Sequence, residues 1–299
     1  MRVLLTIPHV FAPRDGSLYS SQTAEKRPRK LAALRETTVG NLLRLGQRHW
    51  IHASLGLHQS VVTRAQTCSL GLDLTIQVVT PAGQTLIDDL GVLPEQIQRI
   101  DPEVGDPMQV PMAASKRLLE QSADYDMVAY SEDDLAIEDP ELFHKINHLV
   151  ELSGGDYVFL PHRCEQIPGK GDVILSGDPD GGRPDLFWDT GERADVTWPL
   201  GVRSFYRATN PHSGFYALTQ HQAQRALAYW QERQWTPDFV LSGPLEQAGS
   251  GLLLPLFKLM KPIPEHYRFL MVRHQDELWK RHRFEQARSP IPATRSTSA

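Results

Sequence analysis

The segment Tyr125-Asp126-Met127-Val128-Ala129-Tyr130-Ser131-Glu132-Asp133-Asp134-Leu135 constrains this chain more than any other. A short apolar run suited to a buried strand ends abruptly in consecutive carboxylates. Like charges side by side at a strand end repel one another, and the arrangement is unfavourable unless a cation neutralises it. A hard divalent ion such as Mn2+ or Mg2+ takes oxygen ligands and bridges the phosphates of a nucleotide diphosphate. It also neutralises charge on a departing diphosphate. The plain alternative is an acidic loop that caps the next helix. Asp139 already fills that place, ahead of Pro140 in the first turn of the expected helix.

The flanking pattern places this segment in a layered sheet. Arg2 to Ile7 reads as a first strand closed by Pro8. Pro8 to Lys26 is rich in Pro, Gly, Ser and charge, and reads as a long loop. Pro28 opens a helix to about Leu45. A second strand covers Leu72 to Thr80, a helix Val110 to Gln121, and further strands Tyr125 to Tyr130 and Asp156 to Pro161. Strand and helix alternate, so the expected fold is α/β: a mostly parallel, Rossmann-like sheet with helices on both faces and a smaller β/α region after it. Ligands of such sheets sit at the C-terminal strand ends, where both the Pro8 loop and the acids lie. Gln166 to Thr197, rich in Gly, Asp and Pro, reads as a surface flap. Strands at Arg203 to Ala208 and Gly214 to Thr219 follow, with helices at Gln220 to Glu232 and Pro244 to Met260. A last strand is expected at Tyr267 to Val272. The expected organisation is one domain over residues 1–287, with a donor-binding half (1–165), an acceptor-side half (166–287) and a disordered tail (288–299).

Bulk properties exclude several classes. The chain has 299 residues, 40% hydrophobic and 22% charged, which suits a globular protein. A net charge of −5 gives no general attraction to nucleic acid. The basic stretch Lys280, Arg281, Arg283 and Arg288 reads as a solvated end, with peripheral membrane contact as the alternative. The opening apolar run is too short for a signal-peptide core, and no stretch approaches the roughly 20 apolar residues of a membrane span. A cytoplasmic location is therefore expected. Cys68 and Cys164 lack metal-like spacing. Reduced thiols are the default, with a single disulfide left open.

Ser131-Glu132-Asp133-Asp134-Leu135 followed by Asp139-Pro140-Glu141-Leu142-Phe143 resembles the metal-binding, DXD-type segment of GT-A-fold glycosyltransferases. It is most similar to the N-acetylglucosaminyltransferase I type, over some 15 residues. The resemblance implies transfer of a sugar from a nucleotide diphosphate, a UDP-sugar by family likeness. The acceptor would be a glycan, a lipid-linked glycan or a small molecule. It implies Asp134 as metal ligand for Mn2+ or Mg2+, with Glu132 and Asp133 facing the nucleoside and donor sugar.

Other segments acquire roles by the same likeness, each with a plainer reading beside it. Pro8, Phe11 and Arg14 would cradle the nucleoside by stacking and phosphate contact, or form an ordinary surface loop. Lys26, Arg27, Arg29 and Lys30 could add diphosphate contacts, although a solvated helix start explains them better. His212, Ser213 and Gly214 would approach the donor sugar, or form a tight turn. Glu246, in a helix first turn after Ser242-Gly243-Pro244, would be the general base, with Asp238 as runner-up. The helix dipole alone also accounts for a first-turn Glu. His274, after the last strand, would complete the metal site, or be one of 12 ordinary histidines. Trp188, Trp198 and Trp235 would stack on sugars or simply pack. An inverting mechanism is expected, though a carboxylate near the anomeric carbon serves retention as well. Two rivals remain. A nucleotidyltransferase would need a Gly-rich basic loop after the first strand, which Pro8 to Gly16 lacks. The other rival is a non-catalytic sugar- or nucleotide-binding protein.

Overall fold

The computed structural model describes residues 1–13, 24–47, 49–54, 62–67, 71–169, 171–175, 189–208, 212–237 and 243–275. Its first elements are β1 (Arg2–Pro8), α1 (Arg27–Arg35), a π turn (Glu36–Gly40), α2 (Asn41–Leu45), β2 (His49–Ser54), β3 (Val62–Thr67), β4 (Asp73–Val79) and β5 (Ile97–Ile100). Next come α3 (Val110–Glu120), β6 (Met127–Ser131), β7 (Leu135–Ala136), α4 (Leu142–Leu152), β8 (Tyr157–Phe159), β9 (His162–Ile167) and β10 (Gly171–Leu175). The rest are β11 (Asp189–Trp198), β12 (Gly201–Ala208), β13 (Phe215–Thr219), α5 (Gln220–Glu232), α6 (Pro244–Glu246), a second π turn (Gln247–Gly251), β14 (Lys258–Pro262) and β15 (Met271–His274).

The main sheet has the order β13-β6-β1-β4-β5. β1 pairs in parallel with β4 and β6, and β4 with β5, while β13 closes the edge antiparallel to β6. The chain leaves β1 toward β4 and β5, then returns to β6 on β1's other side. That reversal makes the crevice between the ends of β1 and β6 a topological switch point. β1 explains its own place. Val3, Leu5 and Ile7 join the core on one face with Leu34, Leu45 and Phe143; Leu4 joins the other with Val128, Leu118 and Trp230. A strand apolar on both faces is stable only between two helical layers.

Two smaller sheets complete the fold, in the orders β10-β9-β15-β7 and β11-β12-β14-β8. The β2–β3 hairpin stands apart. The two halves interlock: β13, from the second, forms the edge of the first half's sheet.

Several expectations need correction. The described residues of the expected flap are mostly strand, in the β9–β10 hairpin and β11; residues 170 and 176–188 lie outside the described set. The helix expected through Met260 stops early. After α6 comes the π turn holding Gly249 and Gly251, then Pro255, and Lys258–Pro262 pairs as a strand. Gly and Pro cannot sustain a regular helix there. Tyr267 and Arg268 sit in a 3-10 helix over Pro264–Phe269, and the last strand begins only at Met271. The fourth helix starts at Leu142, because Asp139 Oδ1 accepts from Glu141 N at 2.9 Å in a turn before it. β12 and β13 belong to different sheets, so no tight turn joins them as a pair; Asn210 and Pro211 lie outside the described residues.

His162 gives the fold a pH dependence. It is 1% exposed, its Nε2 lies 2.6 Å from the Pro262 carbonyl, and its buried Nδ1 has no hydrogen-bond partner among the described residues. Burial, helped by the Lys261 charge, lowers its pKa to about 4. The unfolded chain, with an ordinary His near 6.5, then binds the extra proton between those values. Stability is full above about pH 6.5 and is lost toward pH 4, by up to about 3 kcal/mol. Urea midpoints measured from pH 4 to 7 should flatten in His162→Gln, and an unchanged slope would refute this assignment.

Candidate functional site

The site is built where β1 and β6 end. β6 delivers Glu132, Asp133 and Asp134, and each finds a different partner. His9, one residue past β1 and 1% exposed, places Nδ1 2.6 Å from Asp133 Oδ2. Its Nε2 accepts from Leu86 N at 3.0 Å, so the ring proton sits on Nδ1 and goes to Asp133. Glu132 is buried beneath Gly214. Its Oε1 lies 3.1 Å from His212 Nε2 and its Oε2 3.7 Å from Arg163 Nη1.

Asp134 faces a second histidine and a lysine. Its Oδ2 is 3.3 Å from Lys30 Nζ and 3.6 Å from His274 Nε2. Burial alone would raise its pKa; His274, Lys30 and Arg163 outweigh burial and hold the carboxyl below the ordinary range. Asp134 Oδ1 is buried and, among the described residues, accepts no hydrogen bond.

His274 arrives by strand pairing, with Arg273 opposite Ala136 and His274 opposite Leu135. Gln275 N then donates to Asp134 O at 2.8 Å, which closes the junction. On the other side β15 runs parallel to β9, which sets buried Glu165 beside the ring. Glu165 Oε1 accepts the Nδ1 proton at 2.6 Å, so Nε2 is the nitrogen turned to Asp134 and the one that would offer its lone pair to a metal. A carboxylate that locks one nitrogen so that the other can ligate is the usual support of a metal-binding histidine.

The acidic loop is also held from behind by the α1–α2 helical path. Thr37 Oγ1 donates to Asp133 O at 3.1 Å. Asn41 Nδ2 donates to Leu135 O at 3.3 Å, and its Oδ1 accepts from Ile137 N at 2.9 Å. Arg44 Nε adds a bond to Ile137 O at 2.9 Å. The π turn aligns Thr37 and Asn41 on the loop side, at the spacing of one helical turn.

A divalent cation can be tested against these residues. The orphaned Oδ1 of Asp134 and the lone pair of His274 Nε2 suit a hard-to-borderline ion with mixed O/N ligands. Among the described residues no group of three or more His, Cys, Asp or Glu side chains is placed to hold a metal ion. Two protein ligands suit an ion whose other positions go to phosphate oxygens and water.

The other expected site residues divide. Pro8 ends β1, next to His9. Phe11 does not face the crevice: it is 4% exposed in the core, and Arg27 lies 5.6 Å above its ring. Ser213 is buried beside His212. Gly214 has φ +64°, and a Cβ there would lie 2.7 Å from Glu132 Oε2. Its close approach is thus to Glu132. Gly214→Ala should destabilise the fold by at least about 1–2 kcal/mol from backbone strain alone. A chemical-denaturation midpoint equal to wild type would refute this.

Glu246 lies in the first turn of α6, with its carboxylate folded back over Gly243. The following π turn brings Gly249 against His212 and the Tyr130 ring. The Tyr130 hydroxyl is pushed well up, chiefly by burial, then by Glu132 and neighbours including Glu246. Glu246 is thus within electrostatic reach of the Tyr130 hydroxyl. Trp198 packs edge-on to Phe269 at 4.9 Å, and Trp235 carries Lys116 at 5.4 Å, so both are engaged in packing. Cys164 is a buried free thiol, pushed up to about 12 by burial. Arg14, Asp238, Trp188, Cys68 and the basic C-terminal stretch lie outside the described residues. Among the described residues no helix is long and apolar enough to cross a membrane.

Glu165, Arg163, Thr37 and Asn41 carried no signal in the sequence. Glu165 lies between the strand expected to end at Pro161 and the flap expected from Gln166, and only the β9–β15 pairing gives it a role. His9 stood in plain view at the end of β1, but nothing local showed that Asp133 would meet it.

No protein-family model matches the chain, and a search of curated proteins finds no match. Among solved structures it is similar to S. aureus TarS 1–349, at 12% identity and a TM-score of 0.44, over 92% of this chain and 60% of that one. The complex of TarS 1–349 with UDP gives 12% identity and 0.42 over 87% and 57%. Its complex with UDP-GlcNAc gives 12% and 0.40 over 87% and 56%. This chain thus spans less than two thirds of those structures. At such similarity its function rests on its own residues.

Proposed function

We propose that this protein is a metal-dependent glycosyltransferase of GT-A type that moves a sugar from a nucleotide diphosphate, a UDP-sugar by family likeness, to an acceptor hydroxyl with inversion. One observation carries the reading. Asp134, with its orphaned oxygen, faces a histidine locked by Glu165, at the switch point of a mostly parallel sheet.

Asp134 and His274 would hold Mn2+ or Mg2+, which when bound offsets the charge that grows on the leaving diphosphate. The chain's own residues supply the rest. Glu165 keeps the His274 proton on Nδ1. His9 orients Asp133 toward the crevice mouth, the most open of the acids and so the one best placed to meet the nucleoside. Glu132, clamped by Arg163 and His212, shapes the floor on the sugar side, next to Ser213 and Gly214. Glu246 would take the acceptor's proton as its oxygen attacks the anomeric carbon. A glycan, lipid-linked glycan or small molecule would serve as acceptor.

The test is a thermal-shift screen of nucleoside diphosphates with and without Mn2+. A ligand at 100 times its Kd stabilises by about 2.7 kcal/mol. UDP or another diphosphate should raise the melting temperature strongly only with Mn2+ present. No shift with any base would discard the proposal.

A further inference from the structure

We infer that Lys261 is a positioning residue for the donor sugar: it fixes the main chain of His212, and with it the grip of residues 212–214 on Glu132. This inference rests on the donor site proposed above and deepens it.

β14 pairs with β12 on one side and β8 on the other, so it is an interior strand. Strand alternation turns Lys261 to the same face as Leu259, which belongs to the core. Lys261 is accordingly 2% exposed. Lysine is almost never buried to that degree unless paired. Its Nζ donates to His212 O at 3.0 Å, and among the described residues no carboxylate forms an ion pair with it. Burial, with the like charge of Arg163 added, pulls its pKa down to about 7. A methionine would fill the same space without the cost of a buried charge. What the lysine adds is one directed bond to one carbonyl.

That carbonyl belongs to the segment that closes on Glu132 from two sides. His212 Nε2 lies 3.1 Å from Glu132 Oε1, and Gly214 O accepts from Glu132 N at 2.8 Å. Strand pairing holds the chain only from Phe215 onward. Ahead of that point Lys261 ties the segment to β14. A shift of His212 would carry its imidazole, and the Glu132 carboxylate with it, away from the sugar side of the crevice. Asp133 and Asp134 are held by other groups: His9, Thr37 and the pairing of β15 with β7. Loss of the Lys261 bond should therefore spare the nucleotide diphosphate and weaken recognition of the sugar.

The experiment measures calorimetric affinities, with Mn2+ present, for UDP, UDP-glucose and UDP-N-acetylglucosamine on wild type, Lys261→Met and Lys261→Gln. Far-UV circular dichroism establishes that each is folded. In the Met variant the affinity for UDP should stay within about twofold of wild type. The factor by which the better nucleotide sugar outbinds UDP should fall about tenfold, and kcat for its transfer or hydrolysis about 10^2-fold. Glutamine keeps a donor without the charge and should restore part of both. A purely structural lysine would move UDP and the nucleotide sugars together, and that result overturns the inference. An unchanged sugar-to-UDP ratio in folded Lys261→Met overturns it as well, while the proposed function stands. No binding of UDP or either nucleotide sugar by wild type removes both.

Discussion

Asp134→Asn should reduce metal-dependent transfer, and donor hydrolysis with it, by about 10^3-fold or more. Asparagine keeps the shape and removes the charge. His274, Lys30 and Arg163 all act on this carboxylate and hold it ionised. Without it Lys30 loses a shielded ion pair, so stability falls as well; loss of one partner of a buried pair costs about 3–5 kcal/mol. The two effects separate by measurement. Mn2+ binding by EPR, at a temperature where circular dichroism shows the variant folded, reports the ligand role directly. A folded Asp134→Asn that binds Mn2+ like wild type would sink the metal assignment. Substituting Glu165 tests the same chain one step back. Glu165→Gln should lower Mn2+ affinity about 10- to 100-fold, because the histidine loses the group that fixes its proton.

Glu246→Gln should lower transfer to acceptor by about 10^2- to 10^4-fold while donor binding stays as in wild type. Glutamine retains the size and most of the first-turn geometry but cannot take a proton. Its structural effect is small, since a first-turn charge contributes about 0.3–1 kcal/mol through the helix dipole. Steady-state kinetics with varied acceptor, paired with calorimetry of UDP and Mn2+, separates the two roles. Full transfer activity in this variant would pass the base role elsewhere. A loss of donor affinity equal to the loss of rate would instead make Glu246 a donor contact.

Much of the site was written in local pattern. A run apolar on both faces can only be a central strand. An apolar strand that ends in adjacent acids must meet cations, whatever the fold. Asp134 was legible for that reason, and β1, β4, α3, α5 and β6 fall close to where periodicity put them. Legibility failed where a residue's role is set by a partner distant in sequence. Phe11 looked like a stacking ring in a loop, but its backbone bonds to Gln84 and its ring enters the core. Gly214 read as a turn glycine near the sugar, yet the space it leaves is filled by Glu132. Leu252 to Met260 looked helical until Pro255 and the pairing of Lys258–Pro262 with β8 and β12 decided otherwise.

The sequence by itself determined the layered α/β class and the position of the acids at a strand end, because both follow from which residues water rejects and which charges repel nearby. Only the tertiary structure decided what answers those charges. His9, Lys30, Arg163, His212 and His274 come from separate elements, and no local rule ties them to residues 132–134. Strand pairing is non-local: the β15 register at β7 and β9 is what turns an ordinary histidine and a hidden glutamate into a candidate metal ligand and its support.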